Sequence, residues 1–137
     1  MRKLKKEVFD FWNDKTCGED LYLKSEDIKG FKHQEEMRYE LEPYILEFLN
    51  FGNLDKQKVL EIGVGLGADH QRLAQLGGEL HGIDLTDRAI EKTKKRFKIL
   101  GLKSMLQKAD AEDLPYKDES FNKIYSWGVR HQYRKSG

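Results

Sequence analysis

One segment of this sequence predicts its fold class more clearly than any other: Val59-Leu60-Glu61-Ile62-Gly63-Val64-Gly65-Leu66-Gly67-Ala68-Asp69. A short apolar run that contains one acidic residue precedes a glycine at every second position, and a segment of helical composition follows. Because glycine lacks a Cβ atom, the backbone can turn tightly and a ligand can approach it closely. The pattern therefore predicts a strand, a glycine turn and a helix, which is where parallel α/β sheets hold nucleotide-like cofactors.

The glycines alone leave the identity of the cofactor open. Gly63, Gly65 and Ala68 also fit the GxGxxG/A pattern of dinucleotide-binding proteins, so a nicotinamide or flavin cofactor is one reading. A plain tight turn without a ligand is another. Glu61 and the segments further along the chain have to decide between them.

Alternating strand and helix patterns surround the glycine turn. The chain is predicted to form strands at 58–62, 79–84, 104–109 and 121–126, with helices at about 68–76 and 87–100. Thr86 is the predicted cap of the second of these helices, and Gly101 follows its end. Short connections of this kind require right-handed crossovers and a parallel sheet.

The region before the first strand is predicted to be a helical arm or lid. Helices are expected at 1–13 and at about 33–50, the second kinked or divided by Pro43, with a polar loop at 14–30 between them. The predicted domains are therefore this arm, 1–52, and a sheet domain, 53–137.

Composition indicates one soluble domain. The chain has 137 residues, of which 36% are charged and 38% hydrophobic, and its formal net charge is +1. This balance gives no overall field for nucleic acid or membranes, and the basic cluster 92–96 is interpreted as a solvated helix face. We expect no membrane span and no signal peptide, because acidic and polar residues interrupt the apolar positions near the start.

Cysteine and histidine usage indicates a cytoplasmic protein without a metal site. Cys17 is the only cysteine, so it forms no disulfide within the chain, and no histidine is adjacent to it. The four histidines lack ligand-like spacing: His33, His70, His81 and His131.

Acidic residues are predicted to cluster at the carboxyl ends of the strands, where ligands bind to open parallel sheets. Asp84 follows Gly63 by 21 residues and ends the second strand, where a carboxylate can accept hydrogen bonds from a ribose diol. Asp110 follows the third strand, and Ser126 ends the fourth. Such an edge favours a cationic or polyhydroxyl ligand, but Asp84 alone does not separate nicotinamide enzymes from S-adenosylmethionine enzymes.

Four motifs together make the sequence similar to the class I S-adenosylmethionine-dependent methyltransferases, in the broad subgroup that acts on small molecules and lipids. Order and spacing make the set more specific than any one motif. The resemblance covers roughly residues 41–131. The four motifs are Glu61-Ile62-Gly63-Val64-Gly65-Leu66-Gly67, Gly82-Ile83-Asp84-Leu85-Thr86, Ala109-Asp110-Ala111-Glu112-Asp113-Leu114-Pro115, and Phe121 to Val129. The resemblance implies a Rossmann-like sheet of order 3-2-1-4 flanked by helices. It also implies S-adenosylmethionine as cofactor, with S-adenosylhomocysteine as product.

The resemblance also implies roles for individual residues. Gly63, Gly65 and Gly67 would let the methionine part of the cofactor approach the main chain, and Glu61 would organise the turn near the cofactor amino group. Asp84 would bind the ribose hydroxyls, with Leu85 against the adenine. The remaining roles fall on two strand ends: Asp110 and the Ala111 N–H at the adenine, and Ser126, Trp127 and Gly128 beside the sulfonium.

The chain departs from the family after the fourth strand. Such methyltransferases usually continue with further helices and strands. Where they often have Gly-Val-Leu and then two histidines, this chain has Gly128-Val129-Arg130-His131-Gln132, so one histidine matches but the leucine and the second histidine do not. The C-terminal half of the fold is therefore expected to be missing, which leaves the fourth strand as an exposed edge. An unpaired apolar edge seeks a partner, so we expect a homo-oligomer formed through that edge or through the N-terminal helices.

Two functions remain open at this point. The first is methylation of a small-molecule or lipid acceptor; the second is a non-catalytic cofactor-binding or structural half-domain. A dinucleotide-dependent oxidoreductase is less favoured, and so is a nucleic-acid methyltransferase, because the fourth strand ends in Ser126-Trp127-Gly128 rather than an Asn-Pro-Pro-Tyr-like motif. No catalytic residue is assigned, although His131 and Tyr125 lie near the relevant strand end.

Overall fold

The computed structural model describes residues 23–117 and 120–126. Their helices are α1 (Ile28–Leu41), α2 (Ile45–Phe48), α3 (Ala68–Gln75) and α4 (Asp87–Leu100). The strands are β1 (Lys58–Ile62), β2 (Glu79–Asp84), β3 (Met105–Lys108) and β4 (Lys123–Ser126). The predicted helix over 1–13 and the positions of Cys17, Trp127, Gly128 and His131 lie outside the described residues.

The four strands form one parallel sheet in the order β3-β2-β1-β4, which confirms the predicted fold class. Glu61 of β1 lies between Gly82 of β2 and Tyr125 of β4 in the register. All four strands therefore point their carboxyl ends toward the same edge, and the strand order changes direction between β1 and β4. Among the described strands, β4 pairs only with β1.

Each face of the sheet carries its own apolar core. Helices cover one face, and the buried side chains on that side are Tyr39, Ile45, Leu49, Leu54, Val59, Ala68, Leu73, Leu80, Phe97 and Tyr125. The other face buries Leu60, Ile62 and Ile83 beneath the segment that follows β3. That segment contributes Ala109, Ala111, Leu114 and Tyr116, with Phe121 and Ile124 beside them. A loop therefore covers the second face in the described part of the chain.

Helix α1 begins at Ile28, five residues earlier than the sequence pattern predicted. The side chain of Asp27 accepts a hydrogen bond from the Gly30 N–H at 2.8 Å, which caps the helix. Gly30 was interpreted as a loop residue, but it lies inside the helix. A Cβ at this position would lie 1.8 Å from the Ser25 carbonyl oxygen, so the close approach of the segment before the helix requires glycine here.

Pro43 divides the second predicted helix as expected. Helix α1 ends at Leu41 and α2 begins at Ile45. The apolar side chains beside this break differ in exposure, since Ile45 and Leu49 are buried whereas Leu41 and Phe48 are exposed.

Candidate functional site

The turn between β1 and α3 has the conformation that its glycines predict. Gly63, Gly65 and Gly67 have φ angles of 82°, 58° and 92°, a region that side chains with a Cβ rarely occupy. The Gly63 N–H donates to the Ile83 carbonyl at 2.8 Å, which ties the turn to the end of β2. At Gly67 a Cβ would also lie 3.1 Å from Thr93, so α4 packs directly against the turn.

Asp84 lies against this turn. One carboxylate oxygen accepts from the Gly65 N–H at 3.1 Å, and the other accepts from the N–H and the hydroxyl of Thr86, each at 3.1 Å. Burial raises the pKa of the Asp84 carboxyl, and the hydrogen bonds from Gly65 and Thr86 oppose that rise. The carboxyl is thus oriented at the sheet edge beside a backbone that a ligand can approach, with half-buried Leu85 next to it.

The end of β3 lies beside the end of β2. The Ala109 N–H donates to the Asp84 carbonyl at 2.9 Å, which brings Asp110 and Ala111 to the same edge. The Asp110 side chain accepts from the Glu112 N–H at 2.8 Å, and its carbonyl accepts from the Asp113 N–H at 2.9 Å. This local turn fixes the direction of the Asp110 side chain.

Ser126 completes the edge on the other side of β1. It lies opposite Ile62 in the register, and its buried hydroxyl oxygen has no hydrogen-bond partner among residues 23–117 and 120–126. A buried polar atom left without a partner is unusual in proteins, and a ligand or an ordered water commonly satisfies one.

Glu61 lies below the turn rather than at its surface. Its side chain is 2% exposed, and one carboxyl oxygen lies 2.9 Å from Nδ1 of His70, which is itself fully buried. The other ring nitrogen of His70 lies 2.7 Å from the Ser104 hydroxyl. The His70 ring packs against β2 at Gly82, where a Cβ would lie 2.9 Å from the imidazole ring. The contact between Glu61 and His70 therefore joins the end of β1 to α3, on the two sides of the glycine turn.

Asp69, which sequence reasoning did not single out, is the centre of a second buried cluster. Arg38 of α1 donates to both of its carboxylate oxygens at 2.8 Å, and Tyr39 and Tyr125 donate from their hydroxyls at 2.7 and 3.0 Å. Burial and the charge of Asp69 raise the pKa of both tyrosines, so they remain neutral donors. This Asp69 cluster joins α1, α3 and β4.

Arg96, interpreted from the sequence as part of a solvated basic face, is completely buried. Its guanidinium donates to the side chains of Gln71 and Gln34 at 2.8 and 2.6 Å, and to the carbonyls of Leu66 and Phe31 at 3.1 and 3.0 Å. Burial lowers the pKa of Arg96 to about 10, so the group stays charged at neutral pH. The hydrogen bonds of Arg96 fasten helix α1 to the glycine turn.

The sequence signal for the burial of Arg96 was the helical spacing of the buried α4 residues Ala89, Ile90, Thr93, Arg96 and Phe97.

The structure thus brings the predicted strand-end residues to one edge and separates them into two groups. The backbone of the turn, Asp84 and the end of β3 lie on one side of β1, and Ser126 lies on the other. Glu61 stands apart because it is enclosed beneath the turn. Within residues 23–117 and 120–126, no three acidic, histidine or cysteine side chains are grouped so that they could hold a metal ion. In the same residues no helix is long and apolar enough to cross a membrane.

This combination of an open parallel sheet, a glycine turn and an acidic residue at the end of β2 defines a nucleotide-cofactor α/β domain. The sequence profile of the family described as "Methyltransferase domain" matches residues 59–136. The chain belongs to this methyltransferase domain family, which confirms the predicted resemblance.

Solved structures share the fold. Phosphoethanolamine N-methyltransferase 1 of Haemonchus contortus, in complex with phosphoethanolamine and S-adenosylhomocysteine, is 22% identical with a TM-score of 0.64, over 91% of this chain and 25% of that protein. Magnesium protoporphyrin IX methyltransferase of Synechocystis, with bound S-adenosylhomocysteine, is 18% identical with a TM-score of 0.60, over 94% and 60%. The YcgJ protein of Bacillus subtilis is 23% identical with a TM-score of 0.57, over 68% and 39%.

The chain spans less than two thirds of the length of each of these proteins. No curated protein sequence gives a significant match.

The Asp69 cluster yields a first prediction. Tyr125→Phe removes one hydrogen bond from a buried carboxylate, so we expect the free energy of unfolding to fall by about 1–2 kcal/mol in urea titrations. Tyr44→Phe is the matched control, because the Tyr44 hydroxyl donates to Glu42 at the surface, and we expect a change within about 0.5 kcal/mol. Equal losses in the two variants would contradict a stabilising role for the contact between β4 and α3.

Proposed function

We propose that this chain binds S-adenosylmethionine at the carboxyl edge of the sheet and, as part of a complete enzyme, transfers its methyl group to a small-molecule or lipid acceptor. The observation that carries the proposal is the position of the Asp84 carboxyl directly against the Gly65 N–H. A ribose acceptor and an approachable backbone then lie side by side, and both are needed to hold an adenosyl cofactor. The family membership favours a methyl donor over a dinucleotide.

The proposed residue roles follow the edge from one side to the other. Gly63, Gly65 and Gly67 accommodate the methionine part of the cofactor, and Asp84 accepts from the ribose hydroxyls. Leu85, Asp110 and Ala111 form the adenine side. On the far side of β1, the Ser126 hydroxyl has no partner in the described part of the chain, and we propose that it contacts a polar group near the sulfonium.

When bound, the cofactor supplies an electrophilic methyl group, and the main task of the protein is to align it with an acceptor in a site that excludes water. The described residues contain the cofactor side of such a site. We therefore propose the cofactor-binding role for this chain first. Methylation of a small molecule or lipid is the wider proposal, and S-adenosylhomocysteine is its product.

The second candidate is a cofactor-binding or structural half-domain without turnover. In this candidate the free edge of β4 pairs with a second copy of the chain, since β4 pairs only with β1 among the described strands.

The arm 1–52 is proposed to act as a lid in both cases, because α1 is fastened to the glycine turn through Arg96. The lone Cys17 fits a reducing cytoplasm.

Calorimetric titration with S-adenosylhomocysteine, with NADH as the control ligand, tests this function. We expect saturable binding of S-adenosylhomocysteine and no measurable binding of NADH. Binding of NADH alone would contradict the methyl-donor site and favour a dinucleotide enzyme. Binding of neither ligand would leave only the structural role. If S-adenosylhomocysteine binds, turnover assays with a panel of small-molecule and lipid acceptors then separate the first candidate from the second.

A further inference from the structure

We propose that the buried pair Glu61 and His70 holds one additional proton in the ligand-free protein and releases it when the ammonium group of the cofactor binds above it at the glycine turn. The inference rests on the proposed function, because it takes an aminocarboxylate cofactor as the ligand. It assigns Glu61 and His70 a positioning role and couples cofactor binding to pH.

A continuous chain of polar contacts carries the inference. Glu61 lies 2.9 Å from Nδ1 of His70, Nε2 of His70 lies 2.7 Å from the Ser104 hydroxyl, and Ser104 donates to the Leu80 carbonyl at 3.3 Å. Glu61 and His70 are completely buried, whereas Ser104 is half-buried. Phe97 covers the imidazole ring at a centroid distance of 5.1 Å. These hydrogen bonds therefore lead from the buried Glu61 carboxyl to the half-buried Ser104 hydroxyl.

The hydrogen bonds of this polar chain fix the number of protons that Glu61 and His70 share. The Leu80 carbonyl can only accept, so the single hydroxyl hydrogen of Ser104 points toward it, and Ser104 accepts from the His70 Nε2–H. The contact between Nδ1 and Glu61 then requires one more proton, either on the Glu61 carboxyl or on Nδ1 of an imidazolium. Both arrangements use all three contacts, and both hold one proton more than an ionised Glu61 beside a neutral His70.

The surrounding charges favour the same state. The charged and titratable groups that face Glu61 are Asp69 and His70 from α3, Asp84 from β2, Arg38 from α1 and Tyr125 from β4. Arg38 is already engaged by both oxygens of Asp69, so its charge is largely offset. Burial, reinforced by Asp69 and Asp84, raises the pKa of Glu61, and burial lowers the pKa of His70 to about 3. The extra proton therefore resides on the carboxyl and not on an imidazolium.

An ammonium group bound at the glycine turn would add a positive charge there, and a nearby positive charge favours the ionised form of Glu61. The O–H bond of Glu61 breaks and its proton passes to Nδ1 of His70, while the Nε2 proton leaves by way of Ser104 to the solvent. The imidazole changes tautomer and then donates to the Glu61 carboxylate, and Ser104 donates to Nε2. One proton is released for each cofactor bound. Affinity consequently rises with pH, by up to about tenfold per pH unit, until the pH exceeds the pKa of Glu61 in the free protein.

Calorimetry in two buffers counts this proton. The full chain is titrated with S-adenosylhomocysteine at one pH in Tris and in phosphate, whose ionisation enthalpies differ, and the difference in apparent enthalpy gives the number of protons released. We expect about one proton for the unaltered chain and for the control Glu36→Gln, whose side chain is exposed on α1. We expect no release from Glu61→Gln, whose amide can still donate to Nδ1. Binding of S-adenosylhomocysteine with the same enthalpy in both buffers would overturn this inference and leave the proposed function intact.

A second measurement needs no variant, and its first part needs no ligand, so it tests the proton assignment even if Glu61→Gln fails to fold. Nitrogen-15 NMR of the imidazole distinguishes the two neutral tautomers of His70. We expect a proton on Nε2 in the free protein and on Nδ1 after addition of S-adenosylhomocysteine. A proton on Nδ1 in the free protein would overturn the inference. Failure of S-adenosylhomocysteine to bind contradicts the proposed function instead, and the free-state tautomer still tests the proton assignment separately.

Discussion

Arg96→Met is expected to lower the free energy of unfolding by about 3–5 kcal/mol, a large part of the stability of a typical domain. The substitution leaves the side-chain oxygens of Gln34 and Gln71 without their donor, in a region where water cannot replace it. The carbonyls of Phe31 and Leu66 lose theirs as well. Contact with the Phe31 ring, over which the guanidinium lies at 5.1 Å, is also changed.

Urea unfolding followed by circular dichroism measures this loss, and Lys98→Met on the same helix is the control. Lys98 is exposed, so its replacement is expected to change stability by no more than about 0.5 kcal/mol. A loss in Arg96→Met no larger than in Lys98→Met would contradict the role of Arg96 in fastening α1 to the glycine turn.

Asp84→Ala is expected to weaken binding of S-adenosylhomocysteine by about a hundredfold or more. Two ribose hydroxyls would lose an ionised acceptor, and hydrogen bonds to charged groups contribute about 1.5–3 kcal/mol each. The substitution also removes the acceptor of the Gly65 N–H at 3.1 Å, so the turn itself becomes less ordered.

The matched control for this variant is Asp87→Ala, three residues further along the chain. Asp87 lies at the start of α4 with its side chain 60% exposed, and it pairs with Lys108 at 3.4 Å. We expect its affinity for S-adenosylhomocysteine to stay within about twofold of the unaltered chain. Calorimetric titration of both variants, with circular dichroism to verify folding, makes the comparison. Equal affinities in Asp84→Ala and Asp87→Ala would place the ligand elsewhere.

The sheet could be predicted from the sequence because its signals are local. Short apolar runs, glycines with a required positive φ and a capping threonine each act within a few residues. The Thr86 hydroxyl accepts from the Ala89 N–H at 3.2 Å, and Gly101 ends α4 with a φ of 72°. Strand order, by contrast, came from the family resemblance and not from the pattern of residues.

The start of α1 and the buried polar clusters could not be predicted, for reasons that lie in tertiary contacts. The glycine at position 30 signals a loop locally, and only the nearby Ser25 carbonyl explains it. Arg96 stands among lysines, and its partner Gln34 is 62 residues away. Arg38 and Asp69 are 31 residues apart. Charged residues are usually interpreted as solvent-facing unless the partner that neutralises them is known.

The arrangement of the strand-end residues could be predicted from the sequence only in part. Their convergence at one edge follows from parallel strands, and the structure places Asp84 against Gly65. The enclosure of Glu61 beneath the turn was not expected, because its partner His70 was interpreted as one of four scattered histidines. Room for the His70 ring comes from Gly82 on the neighbouring strand, which no local pattern in the sequence indicates.

A proton–nitrogen NMR titration of the chain with S-adenosylhomocysteine tests the cofactor site most directly, since it locates the ligand residue by residue. We expect the largest shifts on the backbone amides of Gly63, Gly65, Leu85 and Ala111, and no change on the exposed face of α4. Shifts confined to the lysines of α4, or the absence of any shift at ligand saturation, would contradict a cofactor site at the carboxyl edge of the sheet.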